Sequence, residues 1–323
     1  MKRLLKIATL LLLVSCSGHG QFGFESSLRH ADWIDVRDSL VISISPFDGS
    51  TDTLIVGTPL QSVVCMSSTY SAGFAEIGAA DRVSGISGRR YLSNEYIRSH
   101  AAEIGSDAAL DYETVLALQP DVVLVYGISA ATPAYIDRLE ELGIRTFRLY
   151  DHLEGSPLGR AEYIRAYGAM AGLPEVADSV FCSIEEAYES IRTGSDAPVK
   201  VLMNSPYGDA WYIPGADSYM ATLVRDAGGE ILGCKPGIES SIISIEDAFL
   251  LSQNADIWLN PGRGTRPSVI QLDRVYDNSL LTTPEGGNDF WERGAVRPDL
   301  VLSDLRGIFS GSDGEMNYYL RLD

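Results

Sequence analysis

Residues 111–127 read DYETVLALQPDVVLVYG, an acidic helix start, a short amphipathic helix and a buried strand in one run. Asp111 is a natural N-cap and Glu113 follows two residues later. Val115, Leu116 and Leu118 then supply the apolar face of a helix, and Val122 to Tyr126 is an apolar strand. Far downstream, residues 243–262 (ISIEDAFLLSQNADIWLNPG) pass through the same events. Ser244 caps, Glu246 takes the place of Glu113, Asp247 completes a Ser-x-x-Asp capping pattern, and an apolar strand ends in a polar loop. A Glu in a first helical turn is favoured by the helix dipole, so each carboxylate has a plain stabilising reading beside any functional one.

Outward from the first copy, strand and helix alternate. Residues 62–66 and 83–85 read as strands around a helix at 69–79, and a helix at 135–142 precedes a strand at 145–149. Such alternation predicts a mostly parallel sheet with helices on its faces. Residues 157–192 are then helical with one break at Gly172-Leu173-Pro174, and the second segment extends roughly 27 Å at 1.5 Å per residue. Alternation restarts at 199–203 and continues through helices at 219–227 and 246–251 to a strand at 257–259. The expected fold is α/β: two lobes, each a mostly parallel sheet flanked by helices, bridged by a long rigid helix. Short alternating runs at 40–44 and 53–56 about Pro46-Phe47-Asp48-Gly49 add an N-terminal β-hairpin extension. The expected divisions are a leader at 1–15, a tether and hairpin at 16–60, a first lobe at 61–155, bridging helices at 156–196 and a second lobe at 197–323.

The leader carries Lys2, Arg3 and Lys6 ahead of a short apolar run, as secretory signals do, and the run is too short to span a bilayer. Leu13-Val14-Ser15-Cys16 resembles the lipobox of bacterial lipoproteins, which makes Cys16 the expected acylation site and 17–23 a tether. The chain has 25 Lys and Arg against 44 Asp and Glu, a formal charge of −19 that disfavours nucleic acid and anionic membrane surfaces as partners. Cys65, Cys182 and Cys234 match no zinc or redox spacing, although one pair is free to bridge in an oxidising compartment. His19, His30, His100 and His152 stand far apart without a second ligand at metal spacing, so no metal site is expected.

With these residues in view, the chain resembles the substrate-binding proteins of ABC importers for iron-siderophore complexes and vitamin B12. Glu113-Thr-Val-Leu-Ala-Leu-Gln-Pro-Asp-Val-Val-Leu looks like that family's Glu, apolar helix and Pro-Asp strand. Ser156-Pro-Leu-Gly-Arg-Ala-Glu-Tyr looks like the start of its bridging helices, and residues 216–229, with their Ala-Gly-Gly ending, look like its second-lobe helix. Asn288-Asp-Phe-Trp-Glu-Arg-Gly and Arg297-Pro-Asp-Leu-Val-Leu resemble a branch common among Bacteroidetes-type bacteria. The resemblance spans about residues 60–310. It implies a ligand in the cleft between two rigid lobes, no cofactor, and a monomer that is lipid-anchored and faces the periplasm. It further implies a permease dimer with its ATPase as partner, docked through one Glu on each lobe; Glu113 matches the first and Glu246, more loosely, the second.

Ligands of parallel sheets bind beyond the carboxyl ends of the strands. The candidates there are Ser68, Arg89, Tyr91, Tyr126 and Tyr150 from the first lobe, and Tyr207, Trp211, Tyr212, Arg263 and Trp291 from the second. Flat amphipathic rings bury a large planar ligand at little entropic cost, and Arg pairs with carboxylate, phosphate or catecholate oxygens. Against this, any single Tyr is more often an ordinary half-buried ring. A cleft enzyme using Asp151, His152 or Asp209 as acid or base is the competing class, yet no nucleophile elbow, phosphate loop or zinc-hydrolase motif occurs. A surface scavenger feeding an outer-membrane receptor is a third reading.

Overall fold

The computed structural model describes residues 27–322 except 265 and 313, so the leader and Cys16 lie outside the described residues. Two five-stranded sheets are built by the same route. In the first lobe the strand order is Thr146–Leu149, Val122–Tyr126, Val63–Cys65, Val83–Ile86, Ala102–Glu103, parallel throughout. In the second it is Val275–Asp277, Ile257–Leu259, Val199–Met203, Gly229–Ile231, with Leu320–Arg321 added antiparallel beside Val275–Asp277. Each chain segment enters its sheet in the middle, places the next strand on one side and then crosses to the other.

In both lobes the helix that makes this crossing belongs to the repeated sequence unit. Tyr112–Leu118 is capped by Asp111, whose carboxylate accepts from Thr114 N at 3.0 Å, and it stops where Gln119 turns left-handed ahead of Pro120. Ile245–Ser252 is capped by Ser244, whose hydroxyl accepts from Asp247 N at 3.0 Å and donates to its carboxylate at 2.9 Å. The acidic residue before each following strand repeats a second task. Asp121 accepts from Ser62 N at 3.0 Å, and Asp256 accepts from Lys200 N at 2.8 Å, so each clamps the start of the neighbouring first strand.

The break at 172–174 turns the bridging region back on itself. Pro157–Ala171 ends at Gly172, which adopts φ 71°, and Pro174–Ile191 runs back against it. The crossing is tight, for a Cβ on Gly168 would stand 2.2 Å from the Cβ of Ala177. Pro157–Ala171 is buried nearly all round, including Glu162, so it is the inner rod and Pro174–Ile191 the outer one. The N-terminal extension is larger than a hairpin. Ile34–Arg37 adds a third strand to Leu40–Ile44 and Thr51–Ile55, its Ile-Asp-Val-Arg pattern being too short to stand out in sequence. This sheet is fastened by buried carboxyl groups: Glu162 accepts from His30 N and Ala31 N at 2.7 and 3.0 Å, and Glu154 accepts from Asp32 N and Trp33 N at 3.0 and 3.1 Å. Cys65, Cys182 and Cys234 are free thiols, so no pair among them bridges.

Candidate functional site

The two sheets remain separate, and the lobes meet along their facing sides at two places. On the inner rod, Arg160 pairs with buried Asp151 of the first lobe at 3.2 Å while its guanidinium lies 5.3 Å from the ring centre of Tyr219 in the second. Tyr219 in turn donates to Gly294 O at 3.1 Å. Burial pushes the Asp151 carboxyl up, but Arg160 and His152 more than offset it and hold the group below its ordinary range. Asp151 is therefore an ion-paired strut between lobes rather than a poised base. Asp209 lies exposed in the turn between Pro206–Tyr207 and Ala210–Ile213.

The second meeting point is formed by residues 281–297. Glu292 accepts from Ser93 N and Asn94 N at 2.7 and 3.1 Å, Glu76 receives Arg293 and Arg297, and Thr69 donates to Trp291 O at 3.4 Å. Gly287 approaches the Tyr91 backbone so closely that any Cβ would collide with its carbonyl. Between these links opens an interlobe cavity of about 480 Å³, floored by Ala72, Ala75 and Leu281 and edged by Ser93, Asp289 and Arg293. Burial raises the Asp289 carboxyl above its usual range, opposed in part by Arg293 and Ser93. Sequence reading selected only Trp291 from this segment; the polar residues on either side of it, Asp289 and Arg293, edge the cavity.

The ten candidates divide by exposure. Tyr91 and Trp291 flank the interlobe cavity, with Trp291 50% exposed and the Arg90 guanidinium 4.6 Å from the Tyr91 ring centre. Ser68 is half-buried at the start of the helix Ser68–Glu76, whose Thr69 touches Trp291. Tyr126 donates to Asp107 at 3.0 Å and meets His152 edge-on, and burial with that carboxylate pushes its hydroxyl up to about 12. Tyr207, Tyr212 and the unanticipated Ile242 form the exposed face of a three-stranded antiparallel sheet in the second lobe, with Tyr212 directly opposite Ile242.

Two candidates need correction as buried rings, and two more are engaged in bonds while still open to solvent. Trp211 alternates with Tyr212 along its strand and so turns inward; it is fully buried, stacked on Trp258 at 5.9 Å and bonded to Met203 O. Tyr150 is 3% exposed, packed beneath Phe47 of the N-terminal sheet. Arg263 is exposed and reaches across to the hydroxyl and carbonyl of Ser279, in the loop after Val275–Asp277. Arg89 donates to Ala101 O at 3.2 Å, anchoring its turn to the lobe. None of the ten is itself among the residues that line the 480 Å³ cavity.

Glu113 and Glu246 are both exposed, each unpaired with any basic side chain among the described residues. Because a crossover helix runs antiparallel to its strands, both helix N-termini lie at the strand-end rim of their lobe. Beside Glu246 the surface is apolar, with Phe249, Leu250 and Val269 exposed. Among the described residues no helix is long and apolar enough to cross a membrane, and no three His, Cys, Asp or Glu are grouped to hold a metal.

Comparison with known proteins places this architecture. The sequence profile of the family described as periplasmic binding protein matches residues 63–279. An uncharacterized lipoprotein of Methanocaldococcus jannaschii is 24% identical over 279 residues, 79% of this chain, and the chain spans only 66% of that relative's length. Among solved structures, a periplasmic haem-binding protein from Pseudomonas aeruginosa superposes with TM-score 0.59 at 17% identity, covering 81% of this chain and 98% of that one. The periplasmic vitamin B12 binding protein of Vibrio cholerae gives 0.58 at 13% identity, over 80% and 99%. An ABC-type Fe3+-hydroxamate transport system structure from Saccharomonospora viridis gives 0.57 at 16%, over 81% and 96%. The profile match covers more than half of the chain and extends from the first lobe into the second, and the chain is a member of the periplasmic binding protein family.

Proposed function

We propose that this protein binds an iron chelate, a haem or a corrinoid between its lobes and delivers it to an ABC permease dimer while tethered to the membrane through Cys16. The binding surface in this reading combines the interlobe cavity with the exposed rings of Tyr91, Tyr207, Tyr212 and Trp291 and the half-buried ring of Tyr126. These rings suit a large flat guest, and Arg293, ion-paired with Glu76, stands with the Asp289 carboxyl at the cavity's edge. Similar structures named as haem-binding and vitamin B12 binding proteins, and one of an Fe3+-hydroxamate transport system, support this choice of guest.

One observation carries the delivery half of the reading: Glu113 and Glu246 occupy equivalent places on equivalent crossover helices of two lobes held at fixed spacing. Paired carboxylates on one body let a permease with matching arginines engage both lobes at once, which sets register and encounter rate. Combining Glu113→Ala with Glu246→Ala is expected to abolish most uptake in cells while leaving affinity in solution within about twofold of wild type, since exposed carboxylates outside the lining of the interlobe cavity contribute little to binding there. Weakened affinity would instead assign both residues to the pocket, and unchanged uptake would remove them from delivery.

A further inference from the structure

The N-terminal sheet packs on the outer edge of the first lobe, and its central strand changes character along its length. Val41, opposite Leu54, is buried and apolar; two residues on, the same face carries Ser43 opposite Asp52. The lobe's edge strand presents Thr146 and Arg148 there, with Tyr150 just beyond its end, alternate to the core side chains Phe147 and Leu149. Stacked sheet faces ordinarily fill such a space with interdigitating apolar side chains. Here a polar cavity of about 220 Å³ is left between them.

Its walls are fixed by their own bonds. Arg145 pairs with Asp52 at 2.5 Å, Thr146 donates to Glu140 at 2.7 Å, and Arg148 donates to Thr132 at 3.1 Å. Ser43 lines the cavity at 1% exposure, and its hydroxyl has no hydrogen-bond partner among the described residues. Buried hydroxyls almost always find one, so Ser43 keeps an unmet donor and acceptor at this wall.

We propose that the cavity binds a neutral, hydroxyl-rich small molecule of monosaccharide size. Two guanidinium groups face two carboxylates, so the lining is charge-balanced and a charged guest would be desolvated without a counter-ion. A hydroxyl group donates and accepts, and so serves Asp52 and Glu140 as acceptors and Arg145, Arg148 and Ser43 as donors in the same site. The Tyr150 ring adds an apolar wall for the C–H face of a sugar. The volume lies below the roughly 300–1,000 Å³ of pockets for drug-sized ligands, which limits the guest to about one ring. Ser43 and Asp52 precede residue 63, where the family match begins, and the cavity shares no lining residue with the one between the lobes. The site is therefore independent of the solute reading above.

The test is saturation-transfer NMR and calorimetric titration of the full chain with D-glucose, N-acetyl-D-glucosamine and D-mannitol, with D-gluconate and D-glucosamine as charged counterparts. Saturable binding of at least one neutral probe is expected at about millimolar affinity, as suits a ligand of this size. Ser43→Val and Arg148→Met, each checked for wild-type thermal unfolding, should each weaken it about tenfold. The proposal is overturned if no neutral probe saturates, if both variants bind as wild type does, or if a charged counterpart binds more tightly.

Discussion

Trp211 and Tyr207 sit four residues apart and have opposite duties. The first is sealed against Trp258, while the second is 84% exposed. Trp211→Ala is expected to lose about 3–5 kcal/mol of stability, and Tyr207→Ala to stay within about 0.5 kcal/mol of wild type, both measured by denaturant unfolding. Both aromatics fall in one short run, and nothing local in that run says which face meets the core, because a strand's inward parity is set by the strands beside it. Glu154 illustrates a different limit. Burial, with the neighbouring Asp32, raises its carboxyl from the usual 4.5 to about 8 despite the backbone N–H groups it accepts. The folded protein thus retains a proton that the unfolded chain gives up at lower pH. The stabilisation is complete below about pH 4.5 and is lost as pH rises through about 8. Thermal unfolding followed across that window should show Tm falling with pH in wild type and a flatter profile in Glu154→Gln.

At the scale of elements, the repeated capped helix and following strand were legible because their signals are local: a capping side chain, an apolar face, a turn before the strand. The clamp made by Asp121 and Asp256 was not legible as such, since its acceptor role requires knowing which strand lies alongside. Likewise Gly172 and Pro174 announced a break, but the direction of the returning helix depends on what it packs against. That packing leaves no room at Gly168. Gly168→Val should therefore force the two rods apart and lower stability by about 1–3 kcal/mol, with Gly168→Ala smaller in the same direction; chemical denaturation resolves both. The short antiparallel sheet that exposes Tyr207, Tyr212 and Ile242 escaped notice because its strands are only two to four residues long and separated by irregular chain.

For the whole molecule, two lobes are joined on one side by a double rod whose inner helix is buried and on another by Glu292, Glu76 and Gly287. A body bolted at two places has little freedom to hinge, so the guest must fit a largely preformed gap. The two-lobe plan is legible in the sequence, whereas the lining of the interlobe cavity is not, because residues from positions 72–94 and 281–293 converge only in three dimensions. The most direct trial of the account is a titration of the full chain with haem, a ferric hydroxamate and cobalamin under matched conditions, read by quenching of tryptophan fluorescence and by calorimetry. The account predicts saturable one-to-one binding of one class, weakened about tenfold or more by Trp291→Phe combined with Tyr91→Ala, with calorimetry reading the variant. Absence of saturable binding by all three, or affinity indifferent to both substitutions, would contradict a guest held between the lobes.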